Sequence, residues 1–250
     1  MLVLLPPSET KAVGGDGGPL DLASLSFPEL TETRRELVDA VSALAGDLSA
    51  SLVALGLSER QAAEVERNRE LPHAPTCPAL LCYTGVLYDA LGAADFSGAQ
   101  WARAERRLAT ASALFGLVRA GDEIPAYRLS AGSTLPGLGS LRSMWRPVLE
   151  PVLAGLDELV VDLRSGPYAA LARVPGAVTV RVVTIAADGA RKSVSHHNKA
   201  YKGQLAAALA GAKHEPATVD EVLTTAAAAG LKVERTGELS IELAATPEAL

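Results

Sequence analysis

The stretch "SHHNKAYKG" places His196, His197, Asn198, Lys199 and Lys202 directly ahead of an alanine-rich run. Adjacent histidines project to different faces, so His196 and His197 cannot easily share one metal ion, and no metal site is expected. If a helix starts near Asn198, its free N–H groups, its dipole and two lysines three residues apart favour an anion. Gly203 would let something approach the backbone closely. The competing reading is a solvated first turn with basic decoration.

Three other stretches carry matching chemistry. In "PPSETK", Ser8 could donate to an anion, Glu9 could act as a base and Lys11 could supply charge, or two prolines simply force a surface turn. In "VRAGDEIPAYRLSAG", Arg119 and Arg128 flank Asp122 and Tyr127. Two guanidiniums could fix a carboxylate or phosphate by forked hydrogen bonds, or form an internal network with Asp122. In "VVDLRSGPY", Asp162 follows two valines, with Arg164, Ser165 and Tyr168 after it. A carboxylate there is costly to bury alone, which suggests either a catalytic group or an ion pair with an arginine. The phosphate-loop pattern GxxxxGK[ST], a GxGxxG after a strand and the zinc helix HExxH are absent. Four histidines without a matching carboxylate or cysteine array give no iron site, and no cofactor is expected.

Net charge over the 250 residues is −6, which as a total disfavours a nucleic-acid binder. The distribution is uneven: from Ile124 to Gly203 the balance is +5, and the remainder carries −11. Any anion-binding face is therefore expected in that segment. Aromatic residues make up only 4% of the chain, too few for a platform that stacks single-stranded bases. No apolar run is long enough for a membrane span and the N-terminus lacks a signal-peptide pattern, so a cytoplasmic location is expected. Cys77 and Cys82 are read as two buried thiols on one helix, pointing to different faces.

The elements that must position these groups follow from periodicity and punctuation. Residues 2–5 form a short buried strand closed by Pro6 and Pro7. Helices are expected from a Ser26–Glu29 capping box, from a Ser58–Gln61 box and through residues 78–91. Another is expected in "WARAERRLA", while "TASALFGLV" is a strand or a buried helix. "LRSMWRPVLEPVLAGL" is helical, with Pro147 and Pro151 near an end or at a kink. A strand at "ELVVDLRSG", a hairpin around Asp188-Gly189 and two more helices follow, the second capped by Thr218 and Glu221. A closing hairpin turns at Thr236-Gly237. Strands and helices mix without steady βαβ alternation, so the expected class is α+β, one domain over residues 1–250, with a mixed or antiparallel sheet surrounded by helices.

Taken as a set, "LLPPSETK", "YTGVLYDAL", "ALFGLVRAGDEIPAYRLSAG", "VVDLRSGPY" and "SHHNKAYKG" resemble the peroxide stress protein YaaA family (UPF0246), in order and over nearly the whole chain. The resemblance implies a cytoplasmic protein that limits iron-driven oxidative damage. It also implies a single α+β domain with a positively charged cleft, a helix-hairpin-helix-like element and association with DNA. It carries over polar motif positions at Lys11, Tyr83, Arg119, Asp122, Tyr127, Arg128, Arg164, Ser165, Tyr168, Lys199 and Lys202.

Two functional expectations follow. In the first, a DNA backbone lies in a basic cleft carrying Lys199, Lys202, Arg128 and Arg164. In the second, an enzyme acts on a small nucleotide- or nucleobase-like anion. Arg128 and Lys199 hold it, Asp162 or Asp122 serves as acid or base, and Tyr83 or Tyr168 orients it. A scaffold of internal ion pairs serving a protein partner is the third reading.

Overall fold

The computed structural model describes residues 1–185, 191–193 and 198–245. Strand β1 (Leu2–Leu5) is buried along its whole length and stops at Pro6, which has no N–H to extend a ladder. A long loop leads to helices α1 (Thr31–Leu44), α2 (Leu48–Leu55) and α3 (Ala62–Glu70). Asp47 caps α2, accepting from the Ala50 N–H at 3.0 Å, and the Ser58–Gln61 box opens the turn that leads into α3. The Ser26–Glu29 box is not formed. A 3-10 turn, Pro28–Leu30, precedes α1 instead, and Ser26 donates both its N–H and its hydroxyl to Asp122.

Residues 78–91 make two helices rather than one. Strand β2 (Cys77–Pro78) runs into the one-turn α4 (Ala79–Cys82), and α5 (Val86–Leu91) restarts after Gly85 at φ 96°. Only glycine adopts that backbone readily, so the break is written into "YTG". The consequence for the cysteines is direct: Cys77 is extended and only Cys82 is helical.

Helix α6 (Gly98–Arg107) is followed by the hairpin β3 (Leu108–Ser112) and β4 (Gly116–Arg119), which decides "TASALFGLV" for strand. The two-residue strand β5 (Glu123–Ile124) pairs with β2, and β6 (Thr134–Leu135) pairs with β7 (Gly139–Ser140). Helix α7 (Leu141–Ala154) holds both Pro147 and Pro151 inside it. Strand β8 (Val160–Asp162) and the one-turn α8 (Gly166–Ala169) come next. Strands β9 (Val178–Ile185) and β10 (Arg191–Ser193) pair antiparallel as expected, while Asp188-Gly189 lies outside the described residues. Helices α9 (Asn198–Gly211) and α10 (Val219–Ala228) follow, the latter capped by the Thr218 hydroxyl. The last hairpin joins β11 (Val233–Gly237) to β12 (Ser240–Ala245) and turns at Glu238-Leu239, two residues later than expected.

The main sheet runs β11-β12-β9-β8-β1-β3-β4, with β10 added to β9. Strands β12, β9, β8, β1 and β3 are parallel, and β4, β10 and β11 are antiparallel, so the sheet is mixed. Strand β1 lies between β3, which follows it in the chain, and β8, which begins the walk in the other direction. At such a reversal the connections leave on opposite sides and a crevice opens at the carboxyl ends of the strands. "PPSETK" leaves β1 and "LRSG" leaves β8 at that place.

Helices α6 and α9 pack against β1, α10 against α9, and α5 closely against α9. The close approach needs Gly203, where a Cβ would overlap the Leu87 carbonyl oxygen and stand 3.0 Å from the Ala90 Cβ. What comes near the Gly203 backbone is thus a helix of the same chain. Gly203→Ala should lower unfolding free energy by about 2–3 kcal/mol, the usual cost of forcing extra volume into packed backbone. Urea denaturation with an unchanged m-value would register it.

Candidate functional site

Lys11 is buried in the loop that leaves β1. Its main chain forms an isolated bridge with Tyr83, and on either side Ala12 N–H donates to the Cys82 carbonyl at 2.8 Å and Thr84 N–H to the Thr10 carbonyl at 3.2 Å. The loop after β1 is thereby tied to the α4–α5 junction. The Lys11 ammonium is buried, donates to the Ser8 carbonyl at 3.1 Å and lies 4.1 Å from the centre of the Tyr127 ring. Burial pulls its pKa down to about 8, and the Arg128 charge acts in the same direction, against Cys82 and Glu9.

Beneath it runs a line of buried hydroxyls. Tyr83 and Tyr127 share a hydrogen bond at 2.9 Å, and Tyr127 meets Ser112 at the end of β3 at 2.7 Å. Ser112 Oγ accepts in turn from the Phe115 N–H at 2.9 Å. Tyr83 stacks on Tyr88, whose hydroxyl donates to the Pro6 carbonyl at 3.0 Å. Burial drives the Tyr83 and Tyr127 phenols well above the ordinary tyrosine range, so they stay neutral and act as a hydrogen-bonded floor.

Above that floor two concavities meet at Glu9. The smaller, about 300 Å³, is bordered by Ser8, Thr10, Thr84, Gly85 and Lys199. Its hydroxyls already face one another: Thr84 donates to Thr10 Oγ1 at 3.0 Å, and Thr10 lies 3.2 Å from Ser8 Oγ. Lys199, exposed on the first turn of α9, adds one positive charge. The larger cleft, about 960 Å³, has Val53, Ala54, Leu55 and Pro136 on its apolar side and Arg128, Ser130 and Ser133 among its polar groups. The Arg128 guanidinium reaches Glu9, 3.2 Å from Oε2, at the meeting point of the two.

The other expected residues divide between this crevice and elsewhere. Asp162 and Arg164 pair with each other in a fork, Nε and Nη2 each 2.9 Å from a carboxylate oxygen. The Lys202 ammonium is buried and donates to the Leu163 carbonyl at 2.9 Å, so it ties α9 to the end of β8. Burial lowers its pKa, with Asp162 pulling the other way. Tyr168 is buried near Glu9 and Arg128, and burial raises its phenol. Ser165 is exposed at the start of α8, and Asn198 Oδ1 is buried without a hydrogen-bond partner among the described residues. His196 lies outside the described residues.

Asp122 and Arg119 belong to another cluster. Asp122 accepts from the Arg119 N–H at 2.9 Å and from the Ser26 hydroxyl at 2.7 Å. The Arg119 side chain lies over the Phe27 ring, 5.3 Å away, and bonds the Arg106 carbonyl. Beside them the buried Arg34 bonds the carbonyls of Phe115, Ser26 and Leu117, and burial pulls it down to about 10. Among the described residues, no three of His, Cys, Asp and Glu converge as a metal site.

Sequence reasoning passed over Asn68. Its side chain clamps the Arg128 backbone, accepting from the N–H at 2.7 Å and donating to the carbonyl at 2.8 Å. Within "ERNRE" it looks like one more polar residue on a solvated helix, and only its burial sets it apart. Thr10 and Thr84 were also missed, since single threonines in turns carry no spacing signal.

Two outcomes follow from these contacts. Asp162→Asn strands the Arg164 charge, whose side chain is only 2% exposed, and should cost about 3 kcal/mol or more. Adding Arg164→Met should recover much of that loss in chemical denaturation. Lys11 binds its proton more weakly folded than unfolded, so stability should rise with pH from about 8 towards the ordinary 10.5. The slope is at most about 1.4 kcal/mol per pH unit. Subtracting the curve of Lys11→Met should isolate that rise below about pH 10, where unfolded tyrosines begin to ionise.

The family described as peroxide stress protein YaaA matches residues 1–236. A UPF0246 protein of Corynebacterium efficiens is 52% identical over 238 residues, covering 94% of this chain and 95% of its own length. A UPF0246 protein of Streptomyces coelicolor is 45% identical over 239 residues, covering 94% and 92%. The crevice-forming chain described above therefore belongs to the peroxide stress protein YaaA family.

Proposed function

We propose that this member of the peroxide stress family binds a small anionic metabolite of nucleotide-like size in the crevice and acts on it by acid–base chemistry. The observation that carries the reading is the fate of the expected cations. Arg164 is forked onto Asp162, Lys202 is buried on a carbonyl, Lys11 lies under a tyrosine ring and Arg119 is turned towards another cluster. Duplex binding rests on many exposed charges meeting many phosphates, and these four do not supply them. A concave site with a few convergent polar groups suits a small ligand instead.

In this reading the anionic group sits in the smaller pocket. Lys199 neutralises it, and the Ser8, Thr10 and Thr84 hydroxyls direct hydrogen bonds at it. The uncharged body lies along the apolar side of the larger cleft, where Arg128 orients it. Glu9, half exposed and shared by both spaces, is placed to accept a proton. Lys11 below it, with a pKa near 8, can hold or release one near neutral pH. Asp162, Tyr83 and Tyr168 then serve as positioning groups, while Asp122, bound to Ser26 and Arg119, takes no part.

Titration calorimetry with nucleoside monophosphates and with a short DNA duplex separates this from the DNA reading. Monophosphate binding with little salt dependence is expected, and Lys199→Ala and Arg128→Ala should each weaken it by about tenfold or more, roughly 1.4 kcal/mol. Duplex binding that falls steeply with salt, with no affinity for the monophosphates, would establish DNA as the ligand instead.

A further inference from the structure

The smaller and larger concavities differ in charge as well as in size, and Glu9 belongs to both. In the smaller, Glu9 and Lys199 are the charged residues of the lining. In the larger, Glu9 and Asp47 oppose a single guanidinium, that of Arg128. Arg128 is already engaged: its Nη1 stands 3.2 Å from Glu9 Oε2 and donates to the Glu9 carbonyl at 3.3 Å. Asp47 is exposed at the start of α2, where one of its oxygens accepts from the Ala50 N–H at 3.0 Å. Lys11 adds no contact from below, because its ammonium donates to the Ser8 carbonyl at 3.1 Å and faces that of Glu9 at 3.5 Å. Among the described residues, Lys199 is thus the one cation of the two linings without a carboxylate against it.

That distribution gives the crevice a direction. Positive charge stands at the Lys199 end, one carboxylate at the junction and a second along the larger cleft. A ligand with its anionic group beside Lys199 and its body in the larger cleft has to pass its connecting atoms over Glu9. An uncharged linker such as a ribose meets only a hydrogen-bond acceptor there. A second phosphate meets a like charge, well inside the roughly 8–10 Å over which salt leaves charges unscreened. Its natural counter-charge, Arg128, is held by that same carboxylate. Space does not impose the limit, since about 960 Å³ is ample for a ligand of that size.

Given the small-anion site argued above, on which this rests, we propose that Glu9 makes the crevice selective for ligands with one terminal anionic group. Nucleoside monophosphates meet that condition, and nucleoside di- and triphosphates are rejected by charge. Discrimination of this kind comes from a repulsive element set against the wrong ligand rather than from an added contact to the right one. Glu9→Gln keeps the shape of the side chain, removes the repulsion and releases Arg128 from its ion pair. It should therefore favour the longer phosphate chains most.

Titration calorimetry on the full chain reads the selectivity directly, with the mono-, di- and triphosphates of adenosine, guanosine, cytidine and uridine. EDTA is present, so that no divalent cation masks the phosphate charge. The monophosphate of the best-bound nucleoside should bind about tenfold or more tighter than its diphosphate. Glu9→Gln should bring the two within about threefold, mainly by tightening the diphosphate, and Glu9→Ala should do the same. Diphosphates bound by the parent as tightly as monophosphates would overturn the selectivity and leave the small-anion reading standing. A preference that survives both substitutions unchanged would take the role away from Glu9. No binding of any of these nucleotides would remove the small-anion reading and the selectivity with it. Glu9 is half exposed, so little packing is lost with its charge, and circular dichroism matching the parent confirms that each variant is folded.

Discussion

A buried ammonium organises the crevice. Lys11 has left water without a carboxylate partner and is held by the Ser8 carbonyl, the face of Tyr127 and the backbone bridge to Tyr83. Desolvating a cation is expensive, and carbonyl dipoles and a ring quadrupole return only part of that cost. The position is kept because the neighbouring backbone is tied twice to residues 82–84. Ser8, Glu9 and Thr10 are therefore presented from a fixed loop, and the smaller pocket depends on that fixity.

Pairing within the chain also takes up much of the charge of the basic segment read in the sequence. Of the residues behind the +5 balance between Ile124 and Gly203, Arg164 is neutralised by Asp162, Arg191 by Glu234 and Glu242, and Lys202 is buried. Arg146 meets Glu150 on its own helix. Each pair also ties elements together: Lys202 fixes α9 to β8, and Arg191 fixes β10 to the terminal hairpin. A residue count sees charge, while the field in the crevice depends on which charges remain uncompensated.

Much of the fold was legible because its signals are local. A capping box at Ser58–Gln61, the Thr218 cap of α10 and the buried run of β1 are read from a few adjacent residues. The Ser26–Glu29 spacing failed for a reason no local pattern contains, since Asp122, 96 residues away, takes the Ser26 hydroxyl. The site was legible by residue type, and less so by role. Arg128, Lys11 and Lys199 do border or underlie one crevice, but whether a lysine faces solvent or a carbonyl is decided by helix packing at Gly203 and by strand order.

Gly85 shows how one residue shapes the pocket. Its positive-φ backbone caps the start of α5, with Tyr83 turned inward onto Tyr127 and Thr84 facing Thr10 at the pocket. A continuous helix over 78–91 would have moved the threonine from the loop it meets. The break in "YTG" is thus the local cause, and the reversal of strand order at β1 the global one, of the pocket beside the lysine-bearing segment.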